Sequence, residues 1–257
     1  MKVVILAGGY GTRMSELTAN MPKPLVEVAG KPLIWYIMNI YAAHGYNDFI
    51  VAAGYKAEKI KEYFANIATL SNDFQTELAS GKTTILKERK PDWRVAVVDT
   101  GLDTMTGGRV RRLAEYIDGE DFMLTYGDGV ADIDIKELVK FHKAHGKLAT
   151  ITAVRMPRFG MVNVEDGGKV SSFQEKRLDN SPLINGGFMV FSKKVIDYIE
   201  GDDTALEAVP MQRLCAAGEL YAYKHNGFWS PVDTLRDRTE LETILLDKNG
   251  KVKLWPT

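Results

Sequence analysis

The stretch from Val3 to Pro24 constrains the chain most: Val-Val-Ile-Leu-Ala-Gly-Gly-Tyr-Gly-Thr-Arg-Met-Ser-Glu-Leu-Thr-Ala-Asn-Met-Pro-Lys-Pro. Val3 to Ala7 is an unbroken apolar run, the pattern of a parallel strand buried on both faces. It stops at Gly8-Gly9-Tyr10-Gly11, where three glycines in four positions let backbone N–H groups turn toward an anion. Arg13 and Lys23 follow. Two readings fit: a tight strand-to-helix turn with solvated cations, or a cradle for the phosphates of a nucleotide. The spacing is neither the Gly-Lys-Ser/Thr of a Walker loop nor the Gly-x-Gly-x-x-Gly of a dinucleotide fold.

The segments after it repeat the strand–helix rhythm. Residues 31–44 read as a helix with Pro32 near its start and Gly45 past its end, its Trp35 and Tyr36 serving packing. Asp48 to Ala53 reads as a strand and Ala57 to Asn66 as a helix, which predicts an α/β, doubly wound, mostly parallel sheet. Residues 67–94 interrupt this order with a polar excursion in which a strand is expected at Thr83 to Leu86. Such a length is either a solvated hairpin or an interface. Val95 to Val98 resumes the sheet, and Thr106 is a plausible cap for a helix with Val110, Leu113, Ala114 and Ile117 on its apolar face. Arg109, at this second glycine turn, could reach the same cleft as the first; Arg111 and Arg112 read as solvated.

Phe122 to Tyr126 is the next strand, and Gly127-Asp128-Gly129 stands at its carboxyl end, where open α/β sheets bind ligands. Asp128 has backbone room beside it for a hydrated divalent cation, or it caps the helix expected from Ile133 to His145. Asp132 and Asp134 suit that helix's dipole. His142 and His145 on it read as surface histidines. After a strand over Ala149 to Val154, Met161 to Glu165 and Lys169 to Glu175 alternate as a hairpin. Glu175-Lys176 and Asn185-Gly186-Gly187 read either as a solvated lysine and an ordinary turn or, together, as a cation and amide groups beside a sugar's hydroxyls. A strand over Leu220 to His225 precedes Trp229-Ser-Pro-Val-Asp233 and a helix from about Leu235 to Leu246, with Asp233 positioned as its cap or as a ligand.

Composition excludes several classes. With 33 Lys+Arg against 34 Asp+Glu in 257 residues, no global basic field for nucleic acid exists. Cys215 is the only cysteine, so there is no internal disulfide and no cysteine metal cluster; it reads as a small buried hydrophobe. No apolar run approaches the ~18 residues of a membrane span, and the strand beginning at Val3 leaves no room for a signal peptide, so a cytoplasmic location is expected. The absence of linkers and repeats suggests one domain.

Leu6-Ala7-Gly8-Gly9-Tyr10-Gly11-Thr12-Arg13 with Pro22-Lys23-Pro24 resembles the signature of the sugar-1-phosphate nucleotidylyltransferase family. Ser15-Glu16 stands where many members carry a proline. The later Gly-Asp-Gly, Glu-Lys, Asn-Gly-Gly and Trp-x-x-x-Asp fall in the family's order over nearly the whole chain. The resemblance implies a Rossmann-like sheet, with a nucleotide-binding half over about 1–130 and a sugar-phosphate-binding elaboration over 131–257. It implies that Arg13 and Lys23 are catalytic cations on the triphosphate, that Leu6 to Thr12, Thr104, Arg109 and Asp128 line the nucleotide site, and that Asp128 and Asp233 hold Mg²⁺. Tyr126, Glu175, Lys176, Asn185 and Gly186 would take the sugar phosphate. The segment from Val98 to Arg109 and Phe228 to Asp237 are nearest to the cytidylyl-transferring group, which implies CTP and glucose 1-phosphate as substrates and a homo-oligomer. On that reading, carbonyls around Ala7 to Tyr10 and the guanidinium of Arg109 would read the base. A metal-dependent glycosyltransferase of similar fold would not need Arg13 and Lys23 on the first loop. A non-catalytic relative would have lost Lys23, Asp128 or Asp233.

Overall fold

The computed structural model describes residues 1–87, 91–156, 161–164, 166–167, 169–174, 182–247 and 252–255. The apolar run forms β1 (Val3–Ala7), and a short 3-10 turn leads into α1 (Ser15–Thr18). A tiny ribbon of β2 (Glu27–Val28) and β3 (Lys31–Pro32) precedes α2 (Leu33–Ala42), which starts two residues later than the sequence suggests because Lys31 and Pro32 stay extended against Glu27 and Val28. Then come β4 (Asp48–Ala53) and α3 (Ala57–Leu70), followed by the exposed hairpin β5 (Asp73–Glu77) and β6 (Lys82–Lys87), the second of which covers the strand expected at Thr83 to Leu86. The sheet resumes with β7 (Arg94–Asp99), α4 (Thr106–Arg112) and β8 (Asp121–Tyr126), and the short β9 (Gly129–Ala131) leads to α5 (Ile135–His145).

The second half runs through β10 (Ala149–Arg155), the hairpin β11 (Met161–Val164) with β12 (Val170–Gln174), β13 (Leu183–Asn185), β14 (Met189–Ser192), α6 (Val209–Ala216), β15 (Leu220–Lys224), β16 (Trp229–Pro231) and α7 (Leu235–Leu246). The central sheet orders β10, β14, β8, β1, β4 and β7, with β13 and β15 also paired to β10. The pairs β8–β1, β1–β4, β4–β7 and β10–β15 are parallel, whereas β14 lies antiparallel between β8 and β10. The sheet is therefore mixed, with its parallel block built from the N-terminal half.

Both faces are covered, as the continuous apolar reading of β1 requires. Val3, Ile5 and Ala7 pack on one side with Leu33, Ile37 and Tyr41 of α2 and Leu138 of α5. Val4 and Leu6 pack on the other with Val110 and Leu113 and with Leu214 of α6. Trp35 and Tyr36 do pack, edge to face at 5.1 Å, and Trp255 closes over Trp35 at 5.8 Å.

Two expectations are corrected here. Cys215 is exposed. The buried face of α6 runs through Pro210 and Leu214, and one residue further round the helix points the thiol outward. His142 is 4% exposed rather than on the surface, because it continues the inward row Ile135, Leu138 of α5. The hydroxyl of Thr150 lies 2.8 Å from its Nδ1 and 2.7 Å from His145 Nε2. Since Lys147 N–H donates to His145 Nδ1, the network assigns a proton to His145 Nε2, and Thr150 donates onward to His142.

Burial lowers the pKa of both imidazoles, opposed at His142 by Asp121 and reinforced at His145 by Lys147. A folded-state pKa below the unfolded value of ~6.5 means that the unfolded chain takes up protons first as pH falls. Urea denaturation is therefore expected to show stability declining as pH drops from ~6.5 toward 5, with a shallower decline in His142→Gln. Equal slopes in the two proteins would remove His142 from that account.

Candidate active site

The carboxyl ends of β1, β7 and β8 open into a cavity of about 790 Å³. Its first wall is the glycine turn. Gly11 has φ +64°, in the left-handed region that suits glycine, and it accepts the N–H of Met14 to begin the turn carrying Arg13. Gly8 is needed for a different reason: a Cβ there would lie 2.2 Å from the guanidinium carbon of Arg109.

Arg109 is 4% exposed and lines the cavity from beneath. Its Nη1 donates to Ala53 O, Thr100 Oγ1 and Gly101 O, and its Nη2 to Gly8 O and Leu102 O, at 2.6–3.2 Å. One side chain thus ties the ends of β1 and β4 to the loop after β7. Burial lowers its pKa, with Asp99 opposing. Donation from these nitrogens to a base, as expected from sequence, is not what this geometry favours; the guanidinium holds the two loops that form the walls. Thr104, 7% exposed, lies on the second of them. Thr106 is not the cap of α4 but its first residue, Met105 being the cap. The Thr106 hydroxyl goes instead to Glu207.

The charged centre lies opposite. Lys23, on a 3-10 turn over Lys23–Leu25, is drawn in until its side chain is 13% exposed. Its Nζ donates to Asp128 Oδ2 at 2.6 Å and to Asp233 Oδ1 at 2.7 Å, while Arg13 Nη1 reaches Asp233 Oδ2 at 2.8 Å. Burial alone would lower the ammonium's pKa; the carboxylates of Asp128 and Asp233 outweigh it and hold it raised. Residues 13, 23, 128 and 233, spread over 220 positions, meet at one point.

Asp128 follows β8, where Gly127 N–H donates to Leu6 O, so the strand ends are pinned together. Asp128 does not cap α5; Asp134 does, accepting from the N–H groups of Lys136 and Glu137. Nor does Asp233 cap α7. Thr234 is the cap, and a capping box with Asp237 fixes the backbone of Asp233 as well, leaving its carboxylate directed at Lys23.

The third wall carries Tyr126 and Asn185. Tyr126 OH donates to Glu207 Oε1 at 2.7 Å and accepts from Asn185 Nδ2 at 3.2 Å. Burial raises the phenol's pKa, and the Glu207 carboxylate raises it further. Gly186 O accepts from the indole of Trp229 at 2.7 Å, which holds the Asn-Gly-Gly turn in place. Glu175 and Lys176 lie outside the described residues, so the structure says nothing of their expected place on the sugar phosphate.

Leu6, Ala7, Gly9, Tyr10, Thr12 and the remaining described candidates of the two walls line the same cavity, with Gly186 adjoining it through Trp229. Sequence reading missed Asp103, which accepts from Tyr10 OH at 3.0 Å across the cavity mouth, and Thr106. Neither had a signal, since a polar residue in a turn has no periodicity that marks it.

Two carboxylates converging on one cationic nitrogen fit a divalent ion that takes the rest of its ligands from substrate phosphates and water, the usual habit of Mg²⁺. Among the described residues no group of three or more His, Cys, Asp or Glu could enclose a metal alone.

Comparison with known proteins finds relatives over the whole chain. Residues 2–247 match the family described as Nucleotidyl transferase. The chain is 50% identical, over 99% of its length and 100% of the relative's, to "Glucose-1-phosphate cytidylyltransferase" of Salmonella typhi. It is 42% identical, over 99% and 100%, to "Probable glucose-1-phosphate cytidylyltransferase" of Bacillus subtilis. The crystal structure of HddC from Yersinia pseudotuberculosis superimposes with a TM-score of 0.69 at 23% identity, covering 94% of this chain and 98% of that one, a likeness of fold.

Proposed function

The chain belongs to the nucleotidyl transferase family, and from that premise we infer that it transfers the cytidylyl group of CTP to α-D-glucose 1-phosphate, giving CDP-glucose and pyrophosphate. The observation that carries the reading is the meeting of Arg13, Lys23, Asp128 and Asp233 at the end of a glycine turn. An oxygen of the sugar phosphate attacks the α-phosphorus in line while pyrophosphate leaves. This needs two anions brought together and the developing charge neutralised, not a covalent intermediate on the protein.

On this reading Gly8 to Thr12 present backbone N–H groups to the triphosphate. Lys23 and Arg13 exchange their carboxylate partners for phosphate oxygens and stabilise charge in the transition state. Asp128 and Asp233 would hold Mg²⁺, which would supply further neutralisation of the triphosphate. The half up to about residue 130 takes the nucleotide. The half from 131 takes the sugar phosphate, with Tyr126, Asn185 and Gly186 beside it and Glu175 and Lys176 completing it. Identity of 50% over the whole length to a named cytidylyltransferase supports CTP and glucose 1-phosphate over other pairs. CDP-glucose is a precursor for surface polysaccharide of the O-antigen kind, which accords with a cytoplasmic enzyme; no helix among the described residues is long and apolar enough to cross a membrane. The hairpin β5–β6 leaves Phe74, Leu78, Ile85 and Leu86 exposed, and it is the surface we assign to a homo-oligomer.

The test crosses four nucleoside triphosphates with a panel of sugar 1-phosphates and measures pyrophosphate release. CTP with glucose 1-phosphate is expected to give the highest kcat/KM, and faster turnover of another pair would replace the substrate assignment. In the same assay Arg109→Ala is expected to lower kcat/KM for CTP and UTP by a similar factor, because it releases both walls at once. A loss confined to CTP would restore the base-reading role.

A further inference from the structure

Glu207 stands just ahead of α6, exposed, and is no part of the charged centre. Its two carboxylate oxygens each take a different hydroxyl proton: Oε2 accepts from Thr106 at 2.6 Å and Oε1 from Tyr126 at 2.7 Å. Both distances lie in the short range of charge-assisted O–H···O bonds. The acceptance has a consequence for direction. A hydroxyl has one proton, so Tyr126, having given its own to Glu207, offers only lone pairs to its other neighbour, Asn185 Nδ2. Thr106 is fixed likewise, accepting from Leu206 N–H at 2.9 Å. Tyr126, Asn185 and Thr106 all line the cavity, and Glu207 links the wall that begins α4 to the wall that ends β8.

We propose that Glu207 is a positioning residue for the sugar-phosphate side of the site, orienting Asn185 through the phenol of Tyr126. The proposal rests on the transferase reading above and extends it to a residue that touches neither reacting group. Asn185 Oδ1 already accepts from Gly187 N–H at 3.1 Å. With its Nδ2 committed at one hydrogen to Tyr126, the amide plane is set, and the second Nδ2 hydrogen has one direction available. A carboxylate at 207 does this because it accepts from both hydroxyls. Glutamine has one acceptor oxygen and would set an NH₂ against the other hydroxyl, reversing part of the chain without altering its shape.

The experiment compares wild type, Glu207→Gln, Tyr126→Phe and the double variant in the pyrophosphate-release assay, with melting curves recorded alongside. Glu207→Gln is expected to raise the KM for glucose 1-phosphate about tenfold, the scale of one lost hydrogen bond, with the KM for CTP changed less than about twofold. Tyr126→Phe is expected to do the same, and Glu207→Gln to add little in its background, since both act on Asn185. Equal changes in the two KM values, or a full additional effect in the Tyr126→Phe background, overturn the proposal and leave Glu207 an anchor of the loop. An active wild type whose KM is unmoved by Glu207→Gln overturns the proposal alone. A wild type inactive on CTP and glucose 1-phosphate overturns the functional reading and the proposal together.

Discussion

Asp128→Asn and Asp233→Asn are each expected to lower turnover about a hundred- to a thousand-fold, the scale of losing one preorganised electrostatic group at a reacting centre. Each substitution keeps an oxygen that can accept from Lys23, so circular dichroism and melting temperature should change little. What is lost is negative charge. Two carboxylates facing a triphosphate repel it unless a cation intervenes, and an amide holds that cation far less well. A chelator should therefore abolish wild-type activity and added Mg²⁺ restore it, with the two variants needing more Mg²⁺ for their residual rate. If both variants turn over at near the wild-type rate, the two aspartates have no part in the reaction.

Lys23→Ala is expected to have an effect of similar size on turnover, with a second signature that the aspartate variants lack. The ammonium lies 2.6 Å from one carboxylate and 2.7 Å from the other and is largely removed from water, so its deletion leaves Asp128 and Asp233 facing each other without a counter-charge. The melting temperature of the protein alone should fall, and Mg²⁺ should recover part of the loss by occupying the same charge-balancing role. In catalysis kcat should drop more than the affinity for CTP, because a cation on the triphosphate matters most where charge develops. Arg13→Ala, whose side chain is 73% exposed, should show the weaker form of the same split. A Lys23→Ala protein that binds CTP poorly but turns over normally once saturated would make Lys23 a binding group only.

Legibility followed the range of the forces concerned. The strand from Val3 to Ala7 and the glycine turn are local matters of apolar period and backbone freedom, and the structure keeps them where the sequence puts them; the helix expected over 31–44 is kept too, trimmed to Leu33–Ala42. Cap assignments moved to other residues of the same segments. The capping box at Thr234 took the role open to Asp233, and Met105 and Asp134 took the caps open to Thr106 and Asp128. His142 was misread because burial depends on which row of α5 meets β10.

The sequence by itself determined the parallel α/β layering, the glycine turn after the first strand and the residue types able to neutralise a phosphate, since each is written in neighbouring residues. Tertiary structure alone decided that Lys23 sits between Asp128 and Asp233, because that contact joins its turn to residues more than a hundred positions away. It also decided what Arg109 does. The same guanidinium could serve a base, a phosphate or the backbone, and only the close approach of Gly8, Ala53, Gly101 and Leu102 brings carbonyls to its donors. A buried guanidinium takes the acceptors that packing brings within reach, and which ones those are is a property of the assembled sheet.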